Sequence, residues 1–478
     1  MFIEQARIQL LNLLFIGAGL AVAFSPAAQG LRFGFPIAAA MYAGLLLHLR
    51  RPDHYVSLCL WLFLMTPLIR RIVDFRTGWD PVAVILLAPY AALVFSTLSV
   101  PKIFNRGRVM DASAVGFLLM FIAATVGLLI ALATGRYLPG GYDYVRWVLP
   151  LAFGIFLWTN RKHLESIQRS IIGTLVLALP IMGIYGLFQF MDIQPWDAEW
   201  LTNSEMDTAG GTEKFQVRVF STINSFGSLG HAMVLAVLLL VVSASPLKWI
   251  AIPLGLLALA LTMSRTSWLA LSVGLLTIVL LAPIRSKISV AVLVGALFFI
   301  VPAVVVFPEL QTLLETRFET LTGLSGDLSI QERLASYEGW AASMLDQPLG
   351  NGLGAAGVYL RSLSRGDATN IIDGGPIEVI QALGIGFGLL YLVGIALVVW
   401  AIATRRGDDA HGNLMAGCRA VVAAQVVAFW STTTTTGETG FFFFMAVGLA
   451  LAIPHARRAE APTADRIRHR MHQAEQVT

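Results

Sequence analysis

Long apolar stretches, separated by short polar connections, make up most of this chain. A lipid bilayer has a hydrocarbon core about 30 Å thick, which roughly 20 helical residues cross. By that measure the sequence contains fourteen candidate spans. They lie near residues 8–28, 33–49, 55–70, 80–99, 112–134, 145–160, 171–191, 227–245, 248–264, 266–283, 288–307, 377–402, 415–431 and 438–454. The pattern therefore predicts an all-α fold, a polytopic transmembrane helical bundle of about 12–14 spans.

Composition supports the same class of protein. Hydrophobic residues make up 56% of the chain and charged residues only 13%, and the mean hydropathy is +0.73. Lipid must solvate part of so much apolar surface. The first apolar stretch continues into more membrane-like sequence, so we expect a retained span and not a cleaved signal. Cys59 and Cys418 lie far apart in apolar segments. A disulfide framework or thiolate metal site is therefore not expected, and no metal or cofactor is predicted.

The distribution of lysine and arginine predicts the orientation. With the N-terminus inside, 19 of these residues lie inside, 13 outside and one, Arg419, in a span. Every inside connection then carries at least one cation, as the positive-inside rule requires. The sequence thus predicts a multi-pass membrane protein with both termini in the cytoplasm.

Two long connections, 192–226 and 308–376, lie outside in this topology. The second is expected to be helical, because Glu309–Thr322 is amphipathic and Ser329 and Glu332 have capping-box spacing. The predicted division is 1–170 for N-terminal spans, 171–307 for central spans with the outer loop 192–226, 308–376 for an extracytoplasmic helical loop, 377–454 for C-terminal spans and 455–478 for a basic cytoplasmic tail.

The outside face is rich in arginine. Twelve of its 13 cations are arginines, and the other is Lys214. A guanidinium is permanently charged and its planar fork suits phosphate. The candidate ligands of an anion are Arg70, Arg71, Arg218, Arg265 and Arg333. If they converge, they form a pocket for a diphosphate at the lipid surface. The alternative is that they reach lipid headgroups or pair with neighbouring carboxylates.

Four segments together resemble the bacterial O-antigen ligase and polymerase family. They are Arg218–Gly227, Leu261–Trp268, Arg333–Gly354 and Asp373–Gly384. Each is weak alone, and their order, spacing and placement on the outer face carry the resemblance, which covers about 215–390. The resemblance implies a glycan donor on undecaprenyl diphosphate, transferred without nucleotide or metal. It also implies a bacterial inner membrane with the active face in the periplasm. Arg218, Arg265 and Arg333 would hold the diphosphate.

The sequence differs from the ligase branch at one position. Ligases begin the fourth segment with a histidine, and Asp373 occupies that position here. Asp373 is therefore the candidate catalytic base, with Arg265 as the second catalytic residue. This difference favours a polymerase of O-antigen or exopolysaccharide. The alternatives are a ligase acting on lipid A-core or another acceptor, and a transporter of lipid-linked oligosaccharide.

Further substrate contacts are expected from Asn224, Glu338 and Glu378, together with Arg70 and Arg71. Glu338 lies on the predicted loop helix, where a solvated face is the alternative. Glu378 lies near the outer end of the twelfth span, where facing a cavity would let it assist Asp373. The expected partners are an undecaprenyl-diphosphate-linked glycan and membrane lipid, with a chain-length regulator as a further candidate. No nucleic acid is expected.

Overall fold

The computed structural model describes residues 2–104, 111–204, 207–304, 347–355, 374–405, 407 and 409–454, and it is built from helices. We number the α-helices of these residues in chain order. They are α1 Phe2–Ala23, α2 Leu31–His48, α3 Pro52–Thr77, α4 Ala88–Leu93, α5 Pro101–Phe104, α6 Ala112–Ala133, α7 Tyr137–Thr159, α8 Leu164–Met191, α9 Pro195–Asn203, α10 Phe226–Val242, α11 Lys248–Leu261, α12 Arg265–Leu281, α13 Ile284–Val304, α14 Gly375–Thr404, α15 Gly412–Phe429 and α16 Gly437–Ala452.

The predicted polytopic helical bundle is confirmed. Eight helical segments of the described residues are long and apolar enough to cross a membrane, and four shorter apolar helices accompany them. Each predicted span falls on a helical segment. The fourth span is broken, because α4 and α5 alternate with the 3₁₀ turns Val84–Leu87 and Val94–Ser99. Pro89 and Pro101 lack the amide hydrogen that a continuous helix needs.

The alternating direction of the helices sorts their connections onto two ends of the bundle. We call one the loop end. It carries the connections 24–30, 78–83, 134–136, 192–225, 262–264 and 430–436. We call the other the basic end. It carries the connections 49–51, 160–163, 243–247, 282–283 and 405–411. The division of the chain into five regions stays a prediction, since most of 308–376 and all of 455–478 lie outside the described residues.

Helices α3 and α16 form the centre of the bundle. Nearly every side chain from Pro52 to Asp74 of α3 is buried, and so is almost all of α16. Glycines allow helices to approach closely, as is common in membrane bundles. A Cβ atom on Gly448 would lie 2.4 Å from the carbonyl oxygen of Gly154 in α7. A Cβ atom on Gly116 of α6 would lie 2.6 Å from the carbonyl oxygen of Gly394 in α14.

Outer helices present apolar side chains to their surroundings. On α2 the exposed residues include Phe33, Ile37, Met41 and Leu45, each more than half accessible and spaced by four positions. That spacing places them along one helical face. Such a stripe would be costly in water, and it is what a helix facing lipid requires.

A buried polar network ties the first helices to α8 and α3. The Gln9 Oε1 atom accepts a hydrogen bond from the Trp61 indole at 2.9 Å and from the Thr174 hydroxyl at 3.2 Å. Ser57 lies 2.8 Å from Thr174 and accepts from the Asn12 amide at 2.9 Å. In lipid, such bonds between helices contribute roughly 0.6–2 kcal/mol each, so this network fixes how the helices are rotated against one another.

Candidate functional site at the loop end

The glycine-rich segment 350–354 enters the bundle at the loop end and meets a break in α14. Gly384 interrupts that helix with a φ of 75°. The amides of Asn351 and Gly352 donate to the carbonyls of Gln381 and Ala382, both at 2.9 Å. A Cβ atom on Gly350 would lie 2.2 Å from the Gly384 nitrogen, so both positions require glycine. The segment thus supplies hydrogen-bond donors to two carbonyl groups that lose their helical partners at the break.

Four helices begin next to one another beside this segment. We call the first turns of α10, α12, α14 and α16, beginning at Phe226, Arg265, Gly375 and Gly437, the N-terminal ring. Helices α10 and α12 nearly touch, since a Cβ atom on Gly230 would overlap the Ser267 hydroxyl. The first turn of α12 is tied to the connection 430–436 by a 3.1 Å hydrogen bond between Ser431 and Thr266.

The remaining contacts close the N-terminal ring. Thr433, in the connection 430–436, donates a hydrogen bond to the Glu378 carboxylate in the first turn of α14. Glu438, in the first turn of α16, interacts with Ser228 of α10. Each helix N-terminus carries roughly half a positive charge and amide hydrogens without intrahelical acceptors. Four such termini favour negative charge, and two of them already carry carboxylates, those of Glu378 and Glu438.

Arg265 stands at the first position of α12, where its side chain is exposed. The preceding Ser264 caps the helix, accepting from the Ser267 amide at 3.4 Å. A cation at a helix N-terminus opposes the dipole of that helix. An anion bound there would be attracted both by the guanidinium and by the amide groups, which reverses that penalty.

Arg218 joins the loop 207–225 to the turn that precedes Arg265. Its Nε and Nη2 atoms donate to the carbonyls of Thr262 and Met263, both at 3.1 Å. Its Nη1 atom donates to Thr208, and the guanidinium lies 3.5 Å over the ring of Phe226. Met263 has a left-handed backbone with a φ of 51°, so this turn is strained. The Arg218 fork therefore positions Arg265, and the structure brings these two predicted residues together.

Arg71 is fully enclosed at the loop end of α3. Its Nη1 atom donates to the Ile223 carbonyl at 2.6 Å and its Nη2 atom to the Ser221 carbonyl. Its Nε atom lies 2.9 Å from Oδ1 of Asp197, with both side chains fully buried. These contacts are those of a residue that holds the segment before α10 in place.

Asp197, the partner of Arg71, is itself held by several donors. The Tyr185 hydroxyl and the Gln189 amide donate to its Oδ2 atom at 2.8 and 2.7 Å. Gln189 in turn accepts from the Ser221 amide at 2.8 Å. Burial raises the pKa of the Asp197 carboxyl above its ordinary value, and the Arg71 guanidinium opposes that rise. The whole group fixes the loop that leads to the N-terminal ring.

The Arg70 side chain contacts a different part of the molecule from that of Arg71. Its Nε atom donates to Asp74 at 3.1 Å and its Nη2 atom to the Asp80 carbonyl at 3.1 Å. The guanidinium stacks over Trp79 at 4.8 Å, and the same Asp74 carboxylate lies 3.7 Å from Arg32. Arg70 thus organises the connection that follows α3.

Asn224 lies beside the N-terminal ring with an unused acceptor. Its side chain is half-buried, and its Oδ1 atom is buried without a hydrogen-bond donor among the described residues. Buried polar atoms are nearly always paired, so a ligand hydroxyl is a natural donor to this oxygen.

Three charged residues near the ring, Asp143, Arg146 and Glu438, were not singled out from the sequence. Arg146 of α7 donates to Asp143 at 3.1 Å, and its guanidinium lies 3.0 Å from where a Gly437 Cβ would be. It interacts electrostatically with Glu378, while Glu438 interacts with Arg146. Asp143 also accepts from the Gly354 amide at 2.7 Å. A charge within the first turn of an apolar span is costly in lipid, and that signal could have found Arg146 and Glu438, which lie at the start of predicted spans.

Three predicted site residues, Asp373, Arg333 and Glu338, lie outside the described residues, so their predicted roles stay predictions. Within the residues that are described, no group of three or more histidine, cysteine, aspartate or glutamate side chains is arranged to hold a metal ion. The described histidines lie at the basic end, except His231 within α10 and His54 in the first turn of α3 beside that end.

No protein-family model matches the chain, and a comparison with curated proteins found no similar sequence.

Proposed function

We propose that the chain is a metal-independent membrane glycosyltransferase that polymerises undecaprenyl-diphosphate-linked oligosaccharide repeat units into O-antigen or exopolysaccharide. It would act at the periplasmic face of a bacterial inner membrane. The observation that carries this proposal is the N-terminal ring, where four helix N-termini meet the exposed Arg265 and the nearby Arg146. Such a site suits a diphosphate at the boundary between lipid and water.

In the proposed reaction, an acceptor hydroxyl oxygen bonds to the anomeric carbon of the donor sugar as the bond to the carrier diphosphate breaks. The diphosphate leaves with the bonding electrons, and Arg265 and the helix N-termini stabilise its developing charge. Removing one such donor from an enzyme commonly costs 10²–10³ in rate. The acceptor proton passes to a carboxylate, for which Asp373 is the predicted base. Glu378, held by Thr433 in the first turn of α14, is the nearest described carboxylate along the chain.

Arg218 and Arg71 act on this site indirectly. Arg218 fixes the turn that presents Arg265, and Arg71 fixes the segment that presents Asn224. The Asn224 oxygen is available for a sugar hydroxyl. Such positioning strongly affects the rate of a transfer reaction, since a displacement of about 1 Å can lower the rate about 10²-fold.

A polymerase is preferred to a ligase because Asp373 replaces the histidine expected of a ligase. The described histidines are also remote from the N-terminal ring, apart from His231, which is buried within α10. A chain-length regulator is a candidate partner of a polymerase. A transporter of lipid-linked oligosaccharide is the alternative from another class, and the same assay can detect it.

The test is elongation of an undecaprenyl-diphosphate oligosaccharide by purified protein in proteoliposomes, with EDTA present. We expect a ladder of products that grow by one repeat unit. Loss of the ladder on chelation, restored by added metal, would contradict the metal-free mechanism. Transfer of one glycan to lipid A-core without elongation would identify a ligase. Translocation without bond formation would identify a transporter.

A further inference from the structure

A cavity of about 310 Å³ opens at the basic end, on the opposite side of the bundle from the N-terminal ring. It lies where α2 ends, α3 begins, the broken fourth segment ends and α7 ends. Arg50 and Lys102 bring two cations to its wall. Leu47, Phe95, Leu98 and Phe156 make the rest of that wall apolar. One cavity therefore combines a cationic part with an apolar part.

Arg50 has a backbone conformation that is unusual for an arginine. Arg50 follows the end of α2 with a left-handed φ of 56°. Its amide donates to the Leu47 carbonyl at 3.0 Å, and the Arg51 amide donates to Leu46 at 2.9 Å. Glycine is the usual residue where a helix ends in this way, because the left-handed conformation is energetically unfavourable for other residues. The conformation is therefore less favourable for Arg50 than it would be for a glycine.

The apolar side of the cavity faces the lipid-exposed surface. Leu98 is 69% accessible and its neighbour Val94 is 49% accessible, and both lie on the 3₁₀ segment that lines the bundle exterior. The cationic side adjoins a second cavity of about 410 Å³, which shares His163. Its lining includes three cations, Arg161, Lys162 and Arg169, and one carboxylate, Glu165. The positive field therefore extends beyond the two cations themselves.

We propose that this cavity binds one acidic phospholipid, with its phosphate between Arg50 and Lys102 and an acyl chain against Phe95 and Leu98. Basic pockets between helices on the cytoplasmic side commonly take anionic headgroups. A soluble phosphate compound would satisfy the cations but would leave the apolar wall uncovered. The amphiphilic character of the cavity therefore selects a lipid.

The experiment is native mass spectrometry of delipidated protein titrated with phosphatidylglycerol, with phosphatidylcholine of the same acyl chains, and with inorganic phosphate. The test variants are Arg50→Gly, Lys102→Ala and the pair together. Arg50→Gly removes the charge while giving glycine to a left-handed position, so the fold should be retained. The pair Arg285→Ala and Lys287→Ala is the control, because it removes two charges from the same end and from outside the cavity.

We expect the wild-type protein to bind its first phosphatidylglycerol at least about 10-fold more tightly than phosphatidylcholine. Each cation removed from the cavity should weaken phosphatidylglycerol binding about fivefold, while the control pair changes it less than twofold. Equal losses in the test and control pairs would reduce the effect to general surface charge and overturn the site. Absence of a preference for phosphatidylglycerol, or inorganic phosphate binding as tightly as the lipid, would also overturn it.

Discussion

Two neighbouring arginine regions at the loop end differ in how deeply their guanidinium groups are buried. In the Arg71 region, the cation is enclosed and its nitrogens face two carbonyls and the Asp197 carboxylate. In the Arg265 region, the cation is exposed at a helix N-terminus, where the local dipole opposes it. The comparison shows that arginine content alone does not identify which residues are available to a ligand. Arg71 is an enclosed cation that holds a loop, whereas Arg265 is a surface cation.

The largest expected effect is on the enclosed pair. Arg71→Met leaves the Asp197 carboxyl buried without its cation, and breaking a buried pair in this way costs about 3–5 kcal/mol. We expect the free energy of unfolding in detergent, measured by denaturant titration, to fall by that amount. The double variant Arg71→Met with Asp197→Asn should recover part of the loss. A single variant as stable as the wild type would remove the structural role of Arg71.

Replacement of Arg218 should cost less stability than replacement of Arg71 and less activity than replacement of Arg265. Arg218→Ala removes donors to three carbonyls, and we expect a loss of about 2 kcal/mol in unfolding free energy because the side chain is half-buried. Elongation should fall by about 10- to 100-fold as Arg265 shifts. Arg218→Lys should recover little, since one ammonium cannot replace a planar fork. Full activity in Arg218→Ala would show that the turn does not depend on it.

Arg70 and Arg71 illustrate what the sequence could not decide. Adjacent residues on a helix point about 100° apart, so one reaches the connection after α3 and the other reaches the segment before α10. The tertiary packing that separates their roles involves residues 152 positions away for Arg71, and no local pattern encodes it. The spans themselves were predictable because lipid imposes a minimum apolar length.

The start of α7 is a second feature that the sequence did not predict. The sequence predicts a short sixth span near 145–160. The helix instead begins at Tyr137. Gly140 is needed for close packing, since a Cβ atom there would lie 2.6 Å from the Ala131 side chain. The earlier start places Asp143 within the helix, beside Arg146 and the N-terminal ring.

A smaller effect should come from the carboxylates of the N-terminal ring. Glu438→Gln removes a negative charge near the proposed diphosphate while keeping the size of the side chain. Coulomb repulsion of about 1 kcal/mol at a half-solvated site would then be lost, and the KM for the donor should fall about fivefold. Steady-state kinetics check this result. An increase in KM would instead place Glu438 in contact with the substrate sugar.

The smallest effect should be seen at Arg76, an exposed arginine at the end of α3. Arg76→Ala should change the free energy of unfolding by less than about 0.5 kcal/mol, as is usual for exposed positions. Its elongation rate should stay within twofold of the wild type. A large loss of activity in this variant would mean that charge anywhere on the loop end matters and that the N-terminal ring is not special.

The most direct test of the central claim is the initial rate of elongation by Arg265→Ala, measured beside the wild type and Arg76→Ala in the same proteoliposomes. If Arg265 stabilises the departing diphosphate, the elongation rate of the variant should fall at least about 100-fold. The unfolding free energy of the variant should stay within about 0.5 kcal/mol of the wild type. An Arg265→Ala protein that elongates the glycan at the wild-type rate would contradict the account.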